Sequence, residues 1–229
     1  MMGNANERLK IIFYGDSICV GQGISIHQGC VVKVAAHLEE NKSSFEHDIL
    51  VINSSVNGRT TRQALEDMPY HVQSQSPDIL LLQYGLNDCN HWLSDQGLPR
   101  VSLDAFKANL KEMVQRGKNF GVKHVLLINN HPTTLQEDNL PNTGFPFEYF
   151  NQKYNEATRI LAEELQEDVI FLDIEAHFSK LLSEGREMSH FLLEDGMHLG
   201  ETGHQVYFDF INPVLKNAIE SLANSQKQD

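Results

Sequence analysis

Residues 10–18 read Lys-Ile-Ile-Phe-Tyr-Gly-Asp-Ser-Ile. The stretch Ile11 to Tyr14 lacks the apolar–polar alternation of a half-buried strand, so it reads as a strand covered on both faces, the situation of a parallel sheet. Gly15-Asp16-Ser17 follows as a strand-to-helix turn, where a serine taken alone serves as a helix cap. The same strand signature recurs four times, giving expected strands at Lys10 to Tyr14, Asp48 to Asn53, Asp78 to Gln83, Lys123 to Asn129 and Asp168 to Asp173.

Between these runs the hydrophobic period changes to that of a helix. Phe106, Leu110, Met113, Val114, Gly117 and Phe120 trace one helical face, and Gly121 closes it. Further helices are expected over Gly29 to Asn41, Thr61 to Met68, Phe147 to Gln166, Ile174 to Ser183 and Thr202 to Ala223. Strands alternating with helices throughout predict an α/β protein with a central parallel sheet of about five strands. No repeat or Pro/Gly/Ser linker divides the 229 residues, so a single domain is expected, with a core over about 10–222 and a frayed tail over 223–229.

The charge balance narrows the partners. With 18 basic against 31 acidic residues the formal charge is -13, which repels phosphate backbones and anionic lipid surfaces. Nucleic acid and stable membrane association are therefore not expected, and oligomeric state is not readable. The N-terminal residues lack an export signal, no segment reaches a membrane-spanning length, and Cys19, Cys30 and Cys89 form no C-x-x-C pair. These features predict a cytoplasmic protein.

In an open parallel sheet ligands bind beyond the carboxyl ends of the strands, so the residues just after each run carry the functional expectation. They are Gly15-Asp16-Ser17-Ile18, Ser54 to Thr61 with Asn57-Gly58, Tyr84 to Asp88, and Asn129 to Thr134 with His131; near the end stands Asp195-Gly196-Met197-His198. A serine hydroxyl becomes a nucleophile when a base takes its proton, and Ser17 stands at a strand-to-helix turn. His198, three residues after Asp195, has the spacing for a base held by a carboxylate. His204 competes but lies inside the expected last helix. Gly58 offers an unobstructed backbone N–H and Asn87 a side-chain amide, the donors that a developing oxyanion requires. Each feature alone has a bland explanation as a cap, a turn or a surface histidine.

Together, "GDSI", Gly58 within "NSSVNGRTT", "GLND" and "DGMH" resemble, in order and spacing, the four blocks of the SGNH hydrolase superfamily, the GDSL-like lipases and acylhydrolases. The resemblance runs from Ile11 to about Phe210. Ile18 stands where the GDSL pattern has leucine, and the second block lacks a glycine often found before it; neither departure removes a catalytic group. The resemblance implies a flavodoxin-like three-layer α/β/α sandwich and a serine esterase acting through an acyl-enzyme. It implies Ser17 as nucleophile, His198 as base and Asp195 as orienter. Its oxyanion hole is formed by the Ser17 and Gly58 N–H groups with Asn87, and neither metal nor organic cofactor is implied.

Other chemistries lack their signatures. No G-x-S-x-G elbow, no complete G-x-G-x-x-G and no H-E-x-x-H occurs. Two loops, Asp88 to Ser102 and His131 to Pro146, are long enough to be functional. They contribute Trp92, Arg100, His131 and Phe145 as candidate substrate contacts, beside Asp16 and Asp88 of the motif blocks. A small polar molecule carrying a short acyl ester, such as an acetylated sugar, is the expected substrate. Lysophospholipase, thioesterase, acyltransferase and a non-catalytic carbohydrate- or acyl-binding module of the same fold are the alternatives.

Overall fold

The computed structural model describes residues 8–45 and 47–225. Five strands, β1 (Leu9–Gly15), β2 (Ile49–Asn53), β3 (Ile79–Gln83), β4 (His124–Ile128) and β5 (Val169–Leu172), form one sheet in the order β2-β1-β3-β4-β5. Every pairing is parallel, with Ile11 beside Ile79 and Val51, and Ile79 beside His124. The strand order is the flavodoxin-like one, and it reverses direction between β1 and β3.

The helices are α1 (Ser17–Val20), α2 (Cys30–Glu40), α3 (Thr61–His71), α4 (Leu103–Asn119), α5 (Phe147–Glu164), α6 (Ile174–Ser183) and α7 (Glu201–Ser225). Helix α2 packs on α7, as does α6 through Phe178–Tyr207 and His177–Phe210 ring contacts, while α3, α4 and α5 pack side by side. The result is a three-layer α/β/α sandwich. Its central strands are buried throughout: Ile79, Leu80, Leu81 and Leu82 have no exposed surface. Each such side chain contributes about 1.5–3 kcal/mol by leaving water. That double coverage is why these segments read as continuous apolar runs.

Expected and observed elements differ mainly at their ends. Helix α3 passes Pro69 to reach His71, because proline near a helix end forfeits a single N–H bond. Helix α7 continues through Ser225, so residues 223–225 are helical. The readings of residues 1–7 as free of an export signal and of 226–229 as a tail lie outside the described residues. Helix α1 and five short 3-10 turns were not expected; at three or four residues none has a full period to read. Among the described residues no helix is long and apolar enough to cross a membrane.

Candidate active site

The polar rim lies at the carboxyl ends of β1 and β3, where the sheet order reverses. Gly15 ends β1 at a close approach: a Cβ there would stand 2.8 Å from Cys19 Sγ and 3.0 Å from Gln83 O, so the turn tightens only around glycine. Asp16 caps α1 by accepting from the Ile18 N–H at 3.0 Å, and Gly21, with φ +80°, ends that single turn. Ser17 is thereby held at the first position of α1, 6% exposed.

Its hydroxyl meets a base contributed from 181 residues further along. His198 Nε2 lies 2.9 Å from Ser17 Oγ, and His198 Nδ1 lies 2.6 Å from Asp195 Oδ2. The other Asp195 oxygen accepts the backbone N–H groups of Met197 at 3.0 Å and His198 at 2.9 Å. Burial pushes the Asp195 carboxyl up, but the hydrogen bonds from His198 and the two N–H groups outweigh it and hold the group below the usual carboxylate value. Asp195 is thus an ionised acceptor that fixes the imidazole's tautomer and direction.

The candidate oxyanion donors sit on loops tied to the turn that carries Ser17. The Ser54 N–H donates to Phe13 O at 2.9 Å and the Val56 N–H to Gly15 O at 3.2 Å, tying the Gly58 loop to the end of β1. Buried Arg59 reinforces that loop through Ser54 O, Asp67 and the Tyr14 ring. Gly58 has φ +73°, a conformation glycine adopts without strain, and a Cβ there would have nothing within 4 Å, so backbone conformation rather than crowding is what calls for glycine. The N–H groups of Ser17 and Gly58 have no acceptor among the described residues. Asn87 follows β3; its Nδ2 donates to Asp16 Oδ2 at 3.3 Å and its Oδ1 accepts from Arg100 Nη1 at 3.3 Å. The geometry brings Ser17, Gly58, Asn87, Asp195 and His198 to one rim.

Three of the six candidate substrate contacts face inward instead. Asp16 is fully buried, with its oxygens taken by Ile18 and Asn87. Burial, with a further push from the Asp88 carboxylate, raises it to about 7 despite those two hydrogen bonds. Asp88 is buried against the Thr61 N–H and hydroxyl, and burial raises it to about 6. His131, also without exposed surface, has Nδ1 2.8 Å from Tyr207 OH and Nε2 2.8 Å from the Met197 carbonyl; burial lowers it to about 4. All three therefore brace the rim and have no free atom for a ligand. His204 is buried in α7, where its Nδ1 accepts the Cys30 N–H at 3.3 Å.

Trp92 and Arg100 do line a groove of about 830 Å³. Phe145 lies outside its lining and stacks on Tyr149 at 4.2 Å between ring centres. A smaller groove of about 420 Å³ at the β5 edge is floored by Arg159 and Asp173, which pair with each other. Positioning groups that motif reading passed over are Thr61, Tyr207 and Thr134, whose N–H donates to Gly196 O at 3.0 Å. Thr61 alone carried a signal, as the residue after a capping threonine. Among the described residues no group of three His, Cys, Asp or Glu side chains is arranged to hold a metal ion.

The sequence profile of the GDSL-like Lipase/Acylhydrolase family matches residues 13–206. Among curated relatives, an arylesterase of Vibrio mimicus is 28% identical over 123 residues, 54% of each chain. The human isoamyl acetate-hydrolyzing esterase 1 homolog is 26% identical over 184 residues, 75% of this chain and 71% of that one. An uncharacterized lipoprotein of Bacillus subtilis is 24% identical, covering 74% of this chain and 75% of its own. An acetylxylan esterase from Geobacillus stearothermophilus superposes with a TM-score of 0.72 at 23% identity, covering 92% of this chain and 94% of that one. A lipase/acylhydrolase from Enterococcus faecalis superposes at 0.70 with 20% identity, covering 91% and 96%. These two likenesses show the fold.

Proposed function

Given that the chain belongs to the GDSL-like Lipase/Acylhydrolase family and is a carboxylic ester hydrolase, we propose that it cleaves short-chain, chiefly acetyl, esters of a small polar or carbohydrate molecule, with Ser17, His198 and Asp195 as its triad. The observation that carries this reading is the unbroken hydrogen-bonded line from Ser17 Oγ through His198 to Asp195, at 2.9 and 2.6 Å.

His198 Nε2 removes the hydroxyl proton as Ser17 Oγ attacks the acyl carbon, and the carbonyl electron pair moves onto oxygen. The resulting oxyanion is met by the N–H groups of Ser17 and Gly58 and by Asn87 Nδ2, and one such donor is worth about 10²- to 10³-fold in rate. Collapse breaks the bond to the alcohol oxygen, which takes the proton from His198 and leaves. Water, deprotonated by His198, then attacks the Ser17 acyl ester; the acid departs and the serine recovers its proton. Asp195 stays ionised throughout and keeps the Nδ1 proton in place.

Names among the relatives support the short acyl group: isoamyl acetate and acetylxylan both carry acetyl esters. The three described cysteines are free and buried, which suits the proposed cytoplasmic setting. The test is hydrolysis of p-nitrophenyl esters from two to twelve carbons by the purified protein and by Ser17→Ala. Cleavage that favours the shortest esters, with a loss of at least about a hundredfold in the variant, is the expected result. Equal rates for the two proteins would remove Ser17 from the nucleophile's role.

A further inference from the structure

Among the described residues, every arginine with a buried or half-buried side chain has a carboxylate partner, apart from Arg100. Arg59 pairs with Asp67, Arg116 with Glu112, and Arg159 with Asp173, Glu175 and Glu156. Arg100 is half-buried and has no carboxylate within ion-pair distance. Its contacts are Asn87 Oδ1 at 3.3 Å and the face of the Trp92 ring, 4.5 Å from the ring centre. The Asp88 and Asp95 carboxylates act on it only from beyond ion-pair distance, so a guanidinium that has given up part of its hydration keeps N–H groups without a carboxylate acceptor. Nor is it loosely held. The loop is closed beneath it by the Arg100 N–H to Asn90 O at 2.9 Å and the Val101 N–H to Asp88 O at 3.1 Å.

The free side of this guanidinium opens into the groove of about 830 Å³, whose lining also includes Arg62 and Gln63. Arg62 is exposed and without an ion-pair partner among the described residues. The carboxylate in the lining is Asp95, which accepts from Ser94 Oγ at 3.3 Å. The lining therefore carries two guanidiniums against one carboxylate, on a chain of formal charge -13. Planar oxyanions, which accept two parallel N–H bonds from one guanidinium, match what Arg100 still offers. The contact also reaches the reaction centre. Arg100 holds the Oδ1 end of Asn87, leaving Nδ2 turned toward Asp16 and the Ser17 turn.

We propose that this groove recognises an anionic group, a carboxylate or phosphate, on the part of the substrate remote from the scissile ester. Arg100 grips it, Arg62 adds a second positive charge, and Arg100 acts as the positioning residue for Asn87. The inference rests on the ester-hydrolase reading and specifies its substrate class.

Matched aryl acetates test it: 4-acetoxybenzoate, 4-acetoxyphenyl phosphate and the neutral 4-acetoxybenzamide, with phenyl acetate as reference. For each protein the kcat/KM of a charged probe is divided by that of the amide. Comparing this ratio between wild type and variant cancels the intrinsic reactivity of the leaving groups. The ratio is expected to fall by about tenfold or more in Arg100→Gln, chiefly through KM, and by about threefold in Arg62→Gln. Arg100→Lys recovers part of the ratio by restoring charge without the fork. In Arg100→Gln, kcat on the neutral amide also falls, because Asn87 has lost its second partner. Added salt lowers the wild-type ratio. The carboxylate and phosphate arms report which oxyanion is preferred. A ratio unchanged by both glutamine variants and by salt overturns the inference while leaving the esterase intact. Failure to cleave any probe, phenyl acetate included, overturns the activity reading and the inference with it.

Discussion

Replacing His131 with leucine, similar in size but without polar atoms, separates the bracing of the rim from its chemistry. The change leaves the Met197 carbonyl and the Tyr207 hydroxyl without their 2.8 Å partners. A buried polar group left unsatisfied costs about 1–3 kcal/mol, so losing the partners of both groups costs about 2–6 kcal/mol at neutral pH. For a chain of this size that lowers Tm by roughly 4–24 °C. The loss also depends on pH. Burial lowers His131 from 6.5 to about 4, so below pH 6.5 the unfolded chain takes up a proton that the folded chain refuses. His131's contribution to stability is complete above about pH 6.5 and declines as pH falls toward 4. At pH 5 the decline amounts to about 2 kcal/mol. Urea unfolding of both proteins at pH 8 and pH 5 should therefore show the gap narrowing by about 2 kcal/mol in acid. Activity responds separately, because Met197 precedes His198: kcat should fall by about tenfold to a hundredfold with KM nearly unchanged. A gap independent of pH, or a variant with wild-type kcat, would refute the assignment of His131 as a neutral brace of the Asp195–His198 loop.

Asn87→Ala removes one candidate oxyanion donor and should lower kcat by about 10²- to 10³-fold with a small change in KM; steady-state kinetics on a short p-nitrophenyl ester checks this. Cys19, Cys30 and Cys89 are all buried, and burial pushes each thiol up. A disulfide reagent should therefore react with none of them in the native protein near pH 8 and with all three after denaturation, as counted by released chromophore.

The sheet was legible because its segments are covered on both faces, which forces an unbroken apolar run such as Ile79 to Leu82. The longer helices were legible from their periods. Element ends were less so: the Pro69 ring stops a sequence-based helix, whereas a real helix near its end tolerates it. The rim residues were legible by kind and by family resemblance. Their inward or outward orientation was not. A polar residue after a strand can face a ligand or its own neighbours, and nothing local decides. Asp16, Asp88 and His131 turn inward because partners distant in the chain, Asn87, Thr61 and Met197, take their polar atoms. The pairing of Arg100 with Asn87 needs the loop between them to fold back, a constraint set by the Val101 N–H bond to Asp88 O rather than by any motif.

The rim is a ring of contacts between loops rather than a set of independent ones. The turn after β1 is tied to the loop after β2 by Val56 and Gly15, that loop to the one after β3 by Thr61 and Asp88, and the last back to the first by Asn87 and Asp16. The loop after β4 reaches the Asp195–His198 loop through His131 and Thr134, which in turn meets Ser17. Burying such a ring favours the neutral form of each titratable brace, and the consequences for stability oppose one another. Asp16 and Asp88 are raised to about 7 and about 6, so they bind protons more readily folded than unfolded, and their contribution declines as pH rises from about 4. His131 and His204, both lowered to about 4, contribute in the opposite direction over an overlapping interval. The braces therefore partly cancel one another's pH dependence between about pH 4 and 6.5, although each is individually steep. Removing His131 leaves the slope of the two carboxyls less opposed. The stability of His131→Leu should accordingly decline more steeply than that of the parent protein as pH rises through that interval, which is the physical content of a gap that widens toward neutral pH.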